Sequence, residues 1–260
     1  MKLSGKVAII TGGGIGIGRD ISIAFAKEGA DIVIASRNGS SLNRVVDEIN
    51  SIGGKALAVV TDISDSHQIQ EMVGKASEKF EHIDILVNNA GIAGPVVTVA
   101  DMDLKLWNEV LTVNLTGAML CSKYVLQKSM IPRHSGLIIN ISSELGRRGL
   151  SLRSPYCASK WGIIGFTQSL AWEAGIYGIR VNCIAPGPVE GERLMRSMME
   201  RSEALNLSVD DLMNEFRERS PLNRIVTNEE VARVALFLAS DDSSGMTGQT
   251  INCAAGIIMN

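Results

Sequence analysis

Short apolar runs that alternate with helical stretches constrain the fold of this chain more than any other feature of its sequence. Six of these runs are rich in Val and Ile and continuous, which is typical of strands buried on both faces of a parallel sheet. They lie at residues 6–11, 31–35, 56–60, 83–87, 137–141 and 179–184, and a last helix at 229–239 and a last strand at 250–253 follow. This alternation predicts an α/β fold, a doubly wound parallel sheet with helices on both faces.

A glycine-rich loop follows the first predicted strand and leads into a helical apolar pattern. It matches the pattern T-G-x-x-x-G-x-G at Thr11, Gly12, Gly16 and Gly18. Glycines let the backbone approach a phosphate closely, and the free N–H groups at the start of the helix face the anion. The more common pattern G-x-G-x-x-G does not fit, because it would need a glycine where Arg19 stands. The loop therefore indicates a phosphate site, with a glycine-rich turn that binds no ligand as the alternative.

The end of the second strand bears on which dinucleotide would bind. In dinucleotide-binding folds an acidic residue near this place holds the adenosine ribose hydroxyls. Here the strand leads into Ser36, Arg37 and Asn38, with no acidic residue. A hydroxyl and a guanidinium suit a ribose 2′-phosphate, so the sequence favours NADP(H) over NAD(H). NAD(H) stays open, because Arg37 could be a solvated loop residue and Ile15 stands where NADP-dependent enzymes often carry a basic residue.

Polar residues also stand at two later strand ends and inside one helix. Asp62 ends the third strand, and Asn89 and Gly91 follow the fourth, at the edge where ligands gather in such sheets. A plain turn is the alternative for the second of these. Asn114 lies in the apolar middle of a helix predicted over 107–131, which Pro132 should end. A buried asparagine must be hydrogen-bonded, so this one either joins backbone segments or serves a site.

Tyr156 and Lys160 stand one helical turn apart at the start of a long apolar helix. This spacing places both side chains on one face of the helix. A tyrosine has an unperturbed pKa of about 10, and a nearby ammonium favours the phenolate and lowers that pKa. The pair could then exchange a proton with an alcohol or carbonyl oxygen near neutral pH. The alternative is a half-buried ring beside a solvated charge, which is common on helices.

Composition and charge exclude several classes of function. The formal net charge is −3, so nothing favours nucleic acid or an anionic membrane as a partner. The four cysteines (Cys121, Cys157, Cys183 and Cys253) are widely scattered, so we predict free thiols, a cytoplasmic location and no metal site. The first apolar run is too short for a signal peptide or a membrane span. Without linkers or repeats, residues 1–260 are predicted to form a single domain.

In their order and spacing these residues resemble the short-chain dehydrogenase/reductase family. The resemblance covers nearly the whole chain and rests on the Thr11–Gly18 loop, 88–91, Asn114, Ser143, Tyr156, Lys160 and Pro186-Gly187. It implies a Rossmann-type sheet of about seven strands and reversible hydride transfer between a nicotinamide and a carbonyl/alcohol pair. It further implies that Tyr156 is the acid/base and that Lys160 lowers its pKa. Ser143, rather than Ser142, would bind the substrate oxygen, and Asn114 would position a water in the proton relay.

The implied cofactor contacts follow five of the predicted strands and include two residues of the helix that begins near Tyr156. They are Thr11, Gly12, Gly14, Ile15, Gly16, Ile17, Gly18, Ser36, Arg37, Asn38, Asp62, Ile63, Asn89, Ala90, Gly91, Tyr156, Lys160, Pro186, Gly187 and Val189. Two departures from the family stand out. Gly191 occupies the place where the family often has a threonine, so backbone at Val189 is the predicted contact to the nicotinamide carboxamide. Ala254-Ala255-Gly256 replaces the usual Asp-Gly-Gly, which bears on local loop geometry.

The substrate is predicted only by class. The resemblance allows a 3-oxoacyl compound or a sugar or polyol, with Ser143 and Tyr156 at the reacting oxygen. Arg147, Arg148 and Arg153 crowd the loop before Tyr156. One of them, with Arg148 and Arg153 as candidates, could meet an anionic group on the substrate, and a solvated loop is the alternative. The Met-rich segment at about 190–222 is expected to be a lid, although ordinary helix packing explains most of its methionines equally well.

The helix after Tyr156 is apolar nearly all round, which predicts contact with a second subunit. The resemblance likewise implies a homotetramer or a dimer. Two rival functions come from other classes of protein. A non-catalytic NADP(H)-sensing regulator of the same fold is the main alternative, although such relatives usually lack the tyrosine or the lysine that this chain retains. A methyltransferase also uses a glycine-rich loop but has no need of the Tyr–Lys pair.

Overall fold

The strands form one all-parallel sheet in a computed structural model that describes residues 1–260. Seven strands lie in the order β3-β2-β1-β4-β5-β6-β7. This confirms the predicted doubly wound, Rossmann-type α/β fold. The strands are β1 (Val7–Thr11), β2 (Asp31–Ser36), β3 (Ala56–Val60), β4 (Ile85–Asn88), β5 (Gly136–Ile141), β6 (Ile179–Pro186) and β7 (Thr250–Cys253).

Helices cover both faces of the sheet and form two separate cores. One core packs residues of α1, α2 and α10 on the sheet, and the other packs residues of α3, α5 and α7. The helices are α1 (Gly16–Lys27), α2 (Gly39–Ser51), α3 (Ser66–Phe80), α4 (Leu104–Leu111), α5 (Gly117–Val125), α6 (Ile131–Arg133), α7 (Ser154–Gly175), α8 (Glu192–Leu205), α9 (Val209–Glu218) and α10 (Asn228–Ala239). None is both long and apolar enough to span a membrane.

Strand β1 shows why the apolar runs are continuous. Its five residues are all buried. Ile10 packs in the core with α1 and α2, whereas Ile9 packs in the opposite core with α3 and α5. Successive strand side chains point to opposite faces, so a strand with helices on both sides needs an apolar residue at every position.

The long helical stretch before β5 differs from its prediction at both ends. It begins at Leu104 rather than 107, because the Asp103 side chain caps it by accepting hydrogen bonds from the N–H groups of Lys105 and Leu106. Pro132 does not end it, since the last turn runs to Arg133 and His134 then takes a left-handed φ of 51°. Two π turns interrupt it, at Thr112–Thr116 and Leu126–Met130. A π turn carries one more residue than a regular turn, and such turns often occur at functional sites.

The sheet order places a crevice where ligands bind in such folds. The chain proceeds from β1 outward to β3, then returns to β4 on the other side of β1. Loops that leave β1 and β4 therefore diverge, and a crevice opens at the carboxyl ends of these strands. Strand β6 extends two residues beyond its predicted end, because Ala185 and Pro186 continue the pairing with β7. Its longer carboxyl end lies at the same edge.

Helices α8 and α9 occupy the segment that was predicted as a lid. They share a small apolar cluster that is separate from both cores of the sheet. Its buried members are Met198, Leu212, Met213, Phe216 and Ile225. The methionines of this segment thus divide between packing and exposure, because Met199 is 54% exposed while Met198 is buried.

Candidate active site

The glycine loop after β1 is shaped so closely that side chains are excluded from it. A Cβ atom added to Gly18 would lie 2.2 Å from the carbonyl oxygen of Gly12. Gly12 and Gly16 have positive φ angles of 66° and 54°, which side chains disfavour. Ile15 precedes α1 without a side-chain capping bond, and no acidic residue stands in the first turn. The N–H groups of this helix end are therefore open to an anion, as a dinucleotide pyrophosphate requires.

Thr11 and Asn89 join the loops of β1 and β4 to one another. The Thr11 hydroxyl accepts hydrogen bonds from the N–H groups of Asn89 (3.0 Å) and Ala90 (3.1 Å). The Asn89 amide donates to the carbonyl oxygens of Thr11 and Gly12, at 2.9 and 3.2 Å. These predicted cofactor contacts therefore use their side chains to hold the two walls of the crevice in place. Thr11 and Asn89 therefore present chiefly their backbone groups to a ligand.

The end of β2 carries an unpaired positive charge. Arg37 is exposed and makes no hydrogen bond or ion pair with protein, whereas Asn38 caps α2 by accepting from the Ser41 N–H. Hydrogen bonds from the hydroxyl and N–H of Ser64 lower the pKa of Asp62, and Arg37 adds to this effect. Arg37 therefore lies near Asp62, at the carboxyl ends of β2 and β3. Ile63, next to it, is buried.

Tyr156 and Lys160 lie together at the start of α7. Lys160 is buried, donates to the carbonyl oxygen of Ile141 at 2.8 Å and has its Nζ 5.7 Å from the centroid of the Tyr156 ring. Burial alone would raise the pKa of Tyr156, but the positive charge of Lys160 contributes to a net pKa below the ordinary 10.0. Burial lowers the pKa of Lys160 below its ordinary 10.5, although the phenolate opposes this. The arrangement favours proton transfer by the phenol.

The two serines after β5 have different partners. The Ser142 hydroxyl donates to the carbonyl oxygen of Lys160 at 2.8 Å, which ties β5 to α7. The Ser143 hydroxyl accepts from the Leu145 N–H at 3.1 Å. The Ser143 hydroxyl also lies close enough to Tyr156 to help lower the pKa of the phenol. Of the two, Ser143 is the one that shares a site with Tyr156.

Asn114 projects from the first π turn and is buried beside Lys160. Its Oδ1 accepts from the Ile92 N–H at 2.8 Å, and its Nδ2 donates to the Ile92 carbonyl and the Ser159 hydroxyl, each at 3.0 Å. A Cβ atom on Gly91 would lie 3.0 Å from Asn114 Oδ1 and 3.7 Å from Lys160 Nζ. The absence of a side chain at Gly91 therefore leaves room where the amide and the ammonium approach each other.

The loop after β6 presents free backbone groups. The Glu190 N–H donates to the Val226 carbonyl at 3.0 Å, and the Val226 N–H donates to the Pro188 carbonyl at 3.2 Å. In this parallel bridge the N–H and C=O of Val189 point away and have no protein partner. Gly187 allows the loop to approach β7, because a Cβ atom there would lie 2.9 Å from the Ala254 Cα.

The arginines before Tyr156 are all bonded to protein. Arg147 donates to the Thr250 carbonyl at 3.1 Å, and Arg148 donates to Glu144 Oε2 from two nitrogens, at 3.0 and 2.8 Å. Arg153 donates to the Gly94 carbonyl at 2.8 Å. Recognition of an anionic substrate by Arg148 or Arg153 stays a prediction.

The sequence did not point to several residues of the site. Ser159 fixes the amide of Asn114, and Glu144 pairs with Arg148. Arg193 at the start of α8 is exposed, yet its charge helps lower the pKa of Tyr156. The four-residue spacing of Glu144 and Arg148 was a readable signal of a pair. Arg193 lies far along the chain from Tyr156 and gave no such signal.

A nicotinamide dinucleotide fits this crevice. The glycine cradle and the uncapped start of α1 suit its pyrophosphate, Arg37 suits a ribose phosphate, and free backbone at Val189 suits a carboxamide. The Tyr156–Lys160 pair stands beyond the crevice floor formed by Gly91. No cluster of three or more His, Cys, Asp or Glu side chains that could hold a metal ion is present.

Known proteins resemble this chain over nearly its whole length. A family model described as short chain dehydrogenase matches residues 6–202. A 3-oxoacyl-[acyl-carrier-protein] reductase (FabG) of Thermotoga maritima is 38% identical over 259 residues, which cover 100% of both chains. The structure of an NAD+-bound xylitol dehydrogenase matches with a TM-score of 0.95 and 30% identity, covering 98% of this chain and 100% of that one. A variant of actinorhodin polyketide ketoreductase with NADPH matches with a TM-score of 0.93 and 32% identity, covering 99% of this chain and 98% of that one.

Proposed function

This chain belongs to the short-chain dehydrogenase family and is an oxidoreductase of that family, and we propose that it interconverts a carbonyl compound and a secondary alcohol with NAD(P)(H). The observation that carries the proposal is the buried Lys160 ammonium beside the Tyr156 phenol, next to a crevice lined by glycines. A protein that only sensed NADP(H) would need neither group. The main rival, a non-catalytic regulator, is therefore less well supported.

The mechanism divides proton and charge handling among four side chains. A bound nicotinamide supplies or accepts the hydride. In reduction the Tyr156 hydroxyl gives its proton to the substrate oxygen as negative charge develops there, and in oxidation the phenolate takes it back. Ser143 hydrogen-bonds the same oxygen and stabilises its charge. Lys160 stabilises the phenolate, and Asn114 beside it holds the water through which the proton is restored.

The residues proposed to hold the cofactor follow the crevice from end to end. The pyrophosphate would lie on the backbone of the glycine loop, with Gly14, Ile15 and Ile17 beside it. The adenosine half would contact Ser36 to Asn38 and Asp62 to Ile63. Asn89 to Gly91 would line the crevice floor. The nicotinamide would lie between Lys160 and the loop from Pro186 to Val189, and the free N–H and C=O groups of Val189 suit an amide.

NADP(H) is the proposed cofactor, and Arg37 is the reason. Its guanidinium has no protein partner, and a 2′-phosphate would give it one. We would titrate the protein with NADPH and NADH and repeat both titrations with Arg37→Ala. The dissociation constant for NADPH should rise about 10-fold or more, while that for NADH stays unchanged. Arg44→Ala is the matched control, since Arg44 is an exposed arginine of α2 that also lacks a partner. Preferred binding of NADH by the wild type would contradict the proposal.

The proposed substrate is a small 3-oxoacyl compound or a sugar or polyol. The 3-oxoacyl class is supported by the relative that acts on acyl carrier protein substrates, and the polyol class by the xylitol dehydrogenase structure. A panel of 3-oxoacyl thioesters and ketoses, tested for NADPH oxidation, distinguishes them. Turnover of neither class, with the cofactor tightly bound, would favour the regulator instead.

A homo-oligomer, either tetramer or dimer, is the proposed assembly. The long helix α7 leaves Trp161 and Trp172 exposed by 52% and 87%, and Met119 of α5 by 38%. Exposed large apolar side chains of this kind mark contact surfaces. Sedimentation at micromolar concentration tests this, and a monomer would refute it.

The proposed location is the cytoplasm. All four cysteines are free, and thiols stay reduced in that compartment.

A further inference from the structure

Arg153 is a buried guanidinium that joins three separate parts of the chain. It stands three residues before Tyr156, in the N-cap position of α7, where its side chain makes no capping bond. Only 4% of that side chain is exposed. One nitrogen, Nη1, donates to the carbonyl oxygens of Gly94 (2.8 Å) and Ala93 (3.4 Å). The other, Nη2, donates to the Ser197 hydroxyl and lies 3.5 Å from Glu200 Oε2.

The loop that Arg153 contacts is also held by Asn114. Asn114 binds the N–H and C=O of Ile92, and Arg153 binds the carbonyls of the next two residues. Gly94 has a positive φ of 70°, and a Cβ atom there would lie 2.5 Å from Val110 Cγ2. The loop is thus fixed in one position, between α4 and the start of α7. Asn114 and Arg153 are two of the groups that hold it there.

The lid helix α8 meets the start of α7 through the polar contacts of Arg153. Ser197 and Glu200 stand three residues apart on α8, which places them on one face. The apolar cluster of the lid contains no residue of α7 or of the loop after β4. Between that loop and α8 lies a cavity of about 450 Å³, lined in part by Gly94 and Glu200. Arg153, three residues before Tyr156 in the chain, therefore bridges the two walls of this cleft.

We propose that Arg153 is a positioning residue that holds the loop after β4 and the lid helix α8 against the start of α7. This inference rests on the proposed function. A carbonyl compound beside Tyr156 would be confined by these two walls, so its distance and angle to the phenol depend on how they are held. A buried guanidinium with carbonyl, hydroxyl and carboxylate partners suits this task, because its planar fork fixes direction as well as distance.

The variants Arg153→Gln, Arg153→Lys and Glu200→Gln test the proposal, with Arg196→Gln as control. Arg196 is an exposed arginine of α8 without a protein partner. With NADPH saturating, Arg153→Gln should lower kcat about 10- to 100-fold, as expected for a misplaced substrate. Arg153→Lys keeps the charge but not the fork, so it should also lose kcat while its pH profile stays that of the wild type. Arg196→Gln should match the wild type in both measurements.

A double-variant cycle separates positioning from general damage to the fold. Arg153→Gln with Glu200→Gln should be no slower than Arg153→Gln alone, because both changes break one junction. Thermolysin, which cleaves at apolar residues, should cut the lid segment faster in Arg153→Gln and Glu200→Gln than in Arg196→Gln. Glu200→Gln leaves Arg153 and its loop contacts in place, so it remains a test even if Arg153→Gln does not fold.

Four results would overturn the proposal. Three of them are an unchanged kcat in Arg153→Lys, a strictly additive double variant, and a lid that thermolysin cleaves at the wild-type rate in all variants. A shifted pH profile in Arg153→Gln with full lid protection would instead make Arg153 a purely electrostatic neighbour of Tyr156, which also overturns it. Failure of the proposed function is distinguishable, because lid cleavage is measured without any substrate.

Discussion

Replacing Lys160 by methionine should slow hydride transfer and move its pH dependence upward. At the 5.7 Å between Lys160 Nζ and the centroid of the Tyr156 ring, a full charge pair interacts by about 3 kcal/mol at an effective dielectric constant of about 20. A loss of this size corresponds to a rate reduction of roughly 100-fold when the phenolate charge is fully developed. Without the ammonium the pKa of Tyr156 rises, so alcohol oxidation should need a higher pH.

The assay is the pH profile of kcat/KM for alcohol oxidation, compared between the wild type and Lys160→Met. Lys123→Met is a matched control, since Lys123 Nζ lies 5.5 Å from the Tyr124 ring but the side chain is exposed on α5. The control should have the wild-type rate and profile. A Lys160→Met enzyme whose rate is lower but whose profile is unmoved would refute the electrostatic role, and an unchanged rate would refute any role. Thermal melting of both variants shows whether the fold is retained.

Two further predictions concern packing and pH. Gly91→Ala places a methyl group 3.0 Å from Asn114 Oδ1 and should lower kcat about 10-fold or more; Gly74→Ala, in open space on α3, should keep full activity. Glu230→Ala removes a carboxylate whose pKa is lowered from 4.5 to about 2, chiefly by Arg224. A carboxylate with a lowered pKa stabilises the fold at pH values above its pKa in the unfolded chain. Because solvent screens this pair, in which the Arg224 side chain is 46% exposed, the loss of Glu230 should cost only about 1 kcal/mol at pH 7. Denaturation curves should show this difference vanish as the pH falls from about 4.5 to 2, and a constant difference would contradict it.

The strands could be predicted from the sequence because helices cover both faces of the sheet, so that its buried strands are continuous apolar runs. Strands β3 and β7 have the predicted bounds, Ala56–Val60 and Thr250–Cys253. The ends of strands and helices that depend on strand pairing or on helix capping were harder to predict from the sequence. The end of β6 depends on its register with β7, and the early start of α4 depends on Asp103. The π turn that carries Asn114 could not be predicted from the sequence, because the apolar residues around it are spaced as in an ordinary helix.

The site was predicted as a set of residues but not as a set of contacts. Tyr156 and Lys160 are one turn apart, so their meeting can be read from spacing alone. The choice of Ser143 over Ser142 gained a physical reason only from the structure, in which the Ser142 hydroxyl donates a hydrogen bond to the Lys160 carbonyl. Arg153 was a candidate for substrate binding because its hydrogen-bond partners lie 44 to 60 residues away in the chain, where the sequence does not indicate them. Side chains joined by tertiary packing leave no periodic pattern that a single sequence reveals.

The most direct test of the account is the activity of Tyr156→Phe, measured together with NADPH binding. Phenylalanine keeps the ring and removes the hydroxyl that exchanges the proton. We expect NADPH affinity and melting temperature close to those of the wild type, with carbonyl reduction about 100- to 10,000-fold slower at neutral pH. A Tyr156→Phe enzyme that binds NADPH and reduces the same substrate at the wild-type rate would contradict the assignment of this crevice as the active site.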